Sequence, residues 1–164
     1  MFKRILVPVD GSEPSNKALV MALQLARDAG GQVRLVHILD ETAYLTGYDV
    51  YSSYQGDLLR VMRDTGQKVL DDAAAIAASA GVQAETMLFD DLGSRLGETV
   101  AQEASHWQAD LIVTGTHGRR GFGRVLLGSG AEQIARLAPV PVLTVRSSEA
   151  DVKTTQAAAE TVPA

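Results

Sequence analysis

Between Gly115 and Ser129 the chain reads GTHGRRGFGRVLLGS, with glycine at 115, 118, 121, 123 and 128 and arginine at 119, 120 and 124. Glycine that dense lets a backbone turn through positive φ and bring successive N–H groups onto an anion, since no Cβ stands in the way. The stretch AEQIARLA follows, so Gly128 opens a helix whose first amides add donors and a partial positive charge. Ser129 offers a hydroxyl at that helix start. The composition suits the holding of a polyphosphate. Arg119, Arg120 and Arg124 add cationic charge there, although each reads equally well as a solvated loop residue.

Other phosphate and nucleophile motifs fit less well. GRVLLGSG (Gly123–Gly130) has the glycine spacing of a Walker A loop, but Ser129 stands where lysine is required. GFGRVL gives G-x-G, yet Leu126 replaces the third glycine and the loop follows the fourth strand rather than the first. LGSGA lacks the outer glycine of a nucleophile elbow, with Leu127 in its place. No catalytic residue is therefore assigned. His37 lies in an apolar strand and reads as a satisfied core residue, His106 ends a helix and complements its dipole, and His117 lies within the glycine loop. Their spacing is not that of metal ligands, so no protein metal site is expected.

The elements that must position this loop alternate between strand and helix. RILVPV (4–9), QVRLVHIL (32–39), VQAETMLF (82–89), DLIVTG (110–115) and PVLTVR (141–146) are short, branched, apolar runs. Between them run helical patterns over about 13–29, a long one with Leu59, Met62, Val69, Leu70, Ala73, Ile76, Ala77 and Ala80 inward, one over about 94–106, and one over 129–137. Such alternation predicts an α/β fold: a three-layer, doubly wound, Rossmann-like sandwich on a five-stranded parallel sheet, order 3-2-1-4-5. Ligands bind such sheets beyond the carboxyl ends of the strands, where the strand order reverses. With this order the reversal falls between strands one and four, next to DGSEPS and the glycine loop.

Bulk properties agree with one globular domain. The chain has 164 residues, 46% hydrophobic and 21% charged, with no cysteine for disulfides or thiolate metal sites. Fifteen basic against twenty acidic residues give a net charge of −5, which argues against general nucleic-acid binding. MFKRILVPVDGS has only a short apolar run that proline and aspartate break, so neither a signal peptide nor membrane insertion is expected, and the chain reads as cytoplasmic. The segment 40–57 holds all four tyrosines and reads as a loop or lid, while 147–164 is small and polar and reads as a disordered tail.

The spacing Gly115-x2-Gly118-x9-Gly128-Ser129, with ILVPVDGSEPS, LVHILD and APVPVLTVR, closely resembles the universal stress protein family over about residues 2–146, and in particular its nucleotide-binding branch. The resemblance implies a universal stress protein domain over 1–146, with the tail 147–164 outside it. It implies that Asp10 accepts from ribose hydroxyls, that Pro8 and Val9 line the nucleoside, and that Ile38 presents backbone groups to adenine. Gly115 and Gly118, with Arg119 adjacent, would lie against the ribose and α-phosphate; Gly128, Ser129 and the Gly130 amide would hold the β- and γ-phosphates. Family members often carry a hydroxyl residue or valine at the Gly130 position, so only the backbone contact is kept here. Two plainer readings stand beside these. Asp10-Gly11 is a common turn pair, and Ser129 with Glu132 spells a capping box that needs no ligand.

The resulting expectation is an ATP-binding stress-response or regulatory protein acting as a nucleotide-dependent switch toward an unknown client. ADP or AMP are possible residents, and Mg²⁺ would arrive through the phosphates. Pro141 with Val142, Leu143 and Val145 makes an apolar edge strand, and family members typically dimerise through it, so a homodimer is expected. The alternatives are a slow ATPase or nucleotidyl- or phosphoryl-transfer enzyme using the arginines, and a dimeric interaction module without nucleotide.

Overall fold

The computed structural model describes residues 2–39, 55–91, 93–116 and 128–146. Nine elements follow in order: β1 (Arg4–Pro8), α1 (Glu13–Ala29), β2 (Gln32–Ile38), α2 (Gln55–Ser79), β3 (Gln83–Phe89), α3 (Leu96–His106), β4 (Leu111–Gly115), α4 (Ser129–Leu137) and β5 (Val142–Val145). The strands form one sheet in the order β3-β2-β1-β4-β5, every pairing parallel, as the alternation predicts. Of the tyrosine-bearing segment, residues 40–54 lie outside the described residues and 55–57 begin α2. The tail 147–164 lies outside them as well.

β1 is central because it pairs on both edges, from Arg4 opposite Gln32 to Pro8 opposite Val36, and through Ile5 and Leu6 with Leu111 and Ile112. Ile5, Leu6 and Val7 have no exposed surface, so both of its faces are covered. Ile5, Val7, Val33, Leu35, Leu111 and Val113 pack against α1 and α2; Leu6, Val36 and Ile112 pack against α3 and α4. α1 starts at Ser12, carries Pro14 in its first turn and buries Ala18, Leu19, Ala22, Leu23 and Ala26. α2 buries Met62, Leu70, Ala73 and Ala77, whereas Ile76, inward by periodicity, stays 38% exposed on its flank.

The layer under α3 holds a polar cluster that apolar patterning does not announce. Arg34 of β2 donates to Glu85 of β3 at 3.0 Å and pairs with Glu103 of α3. Its guanidinium lies 4.9 Å from the Trp107 ring centroid, and that of Arg4 lies 4.5 Å from the same ring. Arg4 Nε also donates to the Trp107 carbonyl at 2.9 Å. Glu103 is 5% exposed, so its charge depends on Arg34 for compensation. These contacts fasten the carboxyl end of α3 to β1 and β2.

Glu103→Ala is expected to lower the unfolding free energy by about 2–3 kcal/mol in urea titrations, because it strands a desolvated arginine that keeps Glu85 as a partner. The hydrogen bond from Arg34 holds the Glu85 carboxyl below the ordinary glutamate value of 4.5. A carboxylate depressed in the folded state stabilises above its unfolded value and loses that contribution as pH falls through the folded one. Glu85→Gln should therefore flatten the acid limb of a stability-against-pH profile below about pH 4.5 and leave its neutral shape unchanged.

Candidate functional site

At the carboxyl end of β1 the last ladder bond runs from Val9 N–H to the Val36 carbonyl at 2.8 Å, and the chain then turns away. The turn is built from its own side chains. Asp10 Oδ1 accepts from Ser12 N–H at 2.9 Å, and Asp10 N–H donates to Oγ of buried Ser15 at 3.1 Å. Asp10 is thus the turn residue that its pairing with Gly11 suggests. It is half-buried at the strand tip, and Oδ2 has no protein donor among the described residues. Pro8 and Val9 precede it, Val9 buried at 4%. The Ser12 N–H holds the carboxylate and Ser15 Oγ holds the Asp10 backbone; Ser12 was legible only as part of a turn, and the part played by Ser15 was not legible.

The end of β2 departs from the ladder in a useful way. Leu39 N–H donates to the Phe89 carbonyl of β3, and the Val36 carbonyl serves β1. In a parallel strand successive residues point their backbone groups to alternate sides, so those of Ile38 point toward β1. There the Val9 carbonyl, which would continue the ladder, instead accepts from His37 Nδ1 at 2.6 Å. Ile38 is left with no backbone partner on that side among the described residues. His37 is satisfied by a backbone carbonyl, as its apolar strand suggests.

β4 and α4 complete the arrangement. Thr116 N–H donates to the Val145 carbonyl at 2.9 Å, and Gly128 N–H donates to the Thr116 carbonyl at 2.6 Å. Thr116 and Gly128 are thus bonded to each other, which places the start of α4 at the carboxyl end of β4, the sheet neighbour of β1. Gly128 is the N-cap, with φ −57° and ψ 148°, and among the described residues no side chain caps this helix. Ser129 is consequently the first helical residue, exposed to solvent, and Glu132 the fourth. The capping box needs serine at the cap and glutamate at the third position, so that reading fails by one residue. Gly130 faces α3, and a Cβ there would meet Leu96 Cδ2 at 2.7 Å.

Gly115 has a packing reason of its own. A Cβ on it would lie 2.7 Å from the carbonyl carbon and oxygen of Pro14, the backbone of the first turn of α1. Gly118 and Arg119 lie outside the described residues, as do His117, Arg120 and Arg124. Asp10, Ile38, Gly115 and Gly128–Gly130 thus converge on one end of the sheet, at its reversal point. An acceptor at one side and uncapped amides at the other suit a ligand with hydroxyls at one end and anionic oxygens at the other. Among the described residues no group of three or more His, Cys, Asp or Glu side chains could hold a metal, and no helix is long and apolar enough to cross a membrane.

The universal stress protein family model matches residues 1–146. Universal stress protein YxiE of Bacillus subtilis is 33% identical over 151 residues, covering 89% of this chain and 100% of that protein. The fold is similar to that of a universal stress protein from Archaeoglobus fulgidus solved in complex with dAMP, at a TM-score of 0.62, 21% identity, and 88% and 98% coverage of the two chains. It is similar also to a universal stress protein family member from Arabidopsis thaliana with AMP bound, at a TM-score of 0.62, 16% identity, and 91% and 94% coverage.

Because its Cβ would strike backbone rather than a yielding side chain, Gly115→Ala should destabilise the fold by about 1–3 kcal/mol without any ligand present. Calorimetry of the ligand-free protein checks this.

Proposed function

The chain belongs to the universal stress protein family, and from that premise we propose that it binds an adenine nucleotide of the ATP class at the reversal point of the sheet. Asp10 accepts from the ribose hydroxyls, Pro8 and Val9 line the nucleoside, and the unpaired backbone groups of Ile38 meet the adenine edge. Gly115 and Gly118 lie against the ribose and α-phosphate, with Arg119 contributing charge. The amides of Ser129 and Gly130, at the helix start that Gly128 caps, receive the β- and γ-phosphates, through which Mg²⁺ is carried; the Gly128 amide itself is held by the Thr116 carbonyl. The observation that carries this reading is a carboxylate fixed by its own turn at the same end of the sheet as a helix start that, among the described residues, no side chain caps. Binding of AMP and dAMP by the two similar structures supports the adenine half of it.

The nucleotide acts as a switch within a homodimer formed along β5. That strand is a sheet edge, with Leu143 37% exposed. Val20 and Met21 of α1, 47% and 38% exposed, share a groove with Val145, so an apolar strip runs beside the open edge. A second copy pairing along the edge covers that strip and satisfies the edge backbone at once.

Mass spectrometry of nucleotide released from the purified protein tests the binding. ATP from wild type and none from a folded Gly118→Ala/Ser129→Ala variant is the expected result. Asp10→Ala should weaken ATP binding about tenfold to a hundredfold in calorimetric titrations, the worth of one charge-assisted hydrogen bond. No nucleotide taken up by folded wild type would sink the reading and favour a nucleotide-free interaction module. For the dimer, sedimentation should give two chains for wild type and one for Leu143→Lys; a monomeric wild type would end that part of the proposal.

A further inference from the structure

Resting on the nucleotide reading above, we propose that Gly97, in α3 and outside the glycine loop, is a positioning residue that sets where the first amides of α4 stand and so governs affinity for the phosphates. Gly97 is buried in the second position of α3. A Cβ on it would lie 2.7 Å from Gln133 Cβ and 3.0 Å from the Gln133 carbonyl carbon of α4. Gln133 is one turn in from the amides of Ser129 and Gly130. Carbon atoms rest about 3.5–4.0 Å apart, so a methyl group at 97 forces the two helices to part by roughly 1 Å.

Which helix moves follows from how each is held. α3 is anchored at its carboxyl end by the Arg34–Glu103 pair and by Trp107, stacked against Arg4 and Arg34. α4 is nine residues long and buries only Ala131 and Ile134, whereas α3 buries Val100, Glu103 and Ala104 besides Gly97. α4 yields. A shift of its amides by that much takes an N–H···O contact from about 2.9 Å beyond hydrogen-bonding range. The end of β1, where Asp10 is fixed by Ser12 and Ser15, lies on a different set of contacts and stays in place.

The measurement is calorimetric titration of ATP and of adenosine into wild type, Gly97→Ala, and Leu70→Val, a core variant in α2 on the opposite sheet face that serves as a stability control. Gly97→Ala should lose about tenfold or more in ATP affinity while adenosine stays within about twofold. Leu70→Val should leave the ratio of the two affinities unchanged. Gly97→Ala/Gln133→Gly, which removes the nearest clashing atom, should recover part of the ratio; should the single variant not fold, this double variant still carries the readout, with a ratio below that of wild type. A wild-type ratio in the alanine variants, an equal loss for both ligands, or the same change in Leu70→Val overturns the assignment. Wild type that binds neither ligand overturns the nucleotide reading and this inference with it, whereas wild type that binds both alongside an unchanged variant overturns this inference alone.

Discussion

β1 must satisfy hydrogen bonds on both edges while its side chains are covered on both faces, and the rest of the molecule is arranged around that demand. Its partners β2 and β4 come from different parts of the chain, and α1, which joins β1 to β2, lies on the opposite face from α3, which leads into β4. Beyond the Val9 N–H there is nothing left to pair, so the strand tip, the free side of β2 and the return of the chain at Gly128 lie at one end of the sheet. In parallel sheets of this kind ligands bind beyond the carboxyl ends of the strands, where the strand order reverses. The site is a by-product of topology before it is a matter of particular side chains.

Much of this was legible in the sequence because it is written in local pattern. Branched apolar runs bounded by glycine and proline gave five strands in their correct places, and their alternation with helices gave the order and the parallel sense. α4 begins and ends at the residues where its pattern does. Less legible were matters decided between elements. Ile76 has helical periodicity in its favour but stands outside the buried cluster that α2 shares with the sheet, and it remains 38% exposed. The Arg34–Glu85–Glu103 cluster joins residues far apart in sequence, and nothing near any one of them signals the others.

The candidate site divides in the same way. Asp10 and the 128–130 segment could be read from type and spacing, because turn chemistry and helix starts are local. That Gly128 rather than Ser129 caps α4 depends on ψ at Gly128, which the sequence leaves open by one residue. The reason for glycine at 115 is likewise tertiary: the backbone of Pro14 occupies the volume a side chain would need. Glycine in such loops thus answers two demands at once, close approach to a ligand and close approach to a neighbouring helix, and sequence shows only their sum.

The two faces of the sheet are unequally furnished. Among the described residues sixteen buried apolar side chains pack on the α1–α2 face and eight on the α3–α4 face. Resistance to local opening scales with buried apolar contact, so the molecule has a firm half and a compliant half. The start of α4 belongs to the compliant one, while Asp10 is tied through Ser15 to α1 in the firm one. Any molecule bridging the two therefore acts as a brace: it stiffens one half against the other, and the gain appears as slowed amide exchange in α3 and α4 while exchange in α1 and α2 changes little.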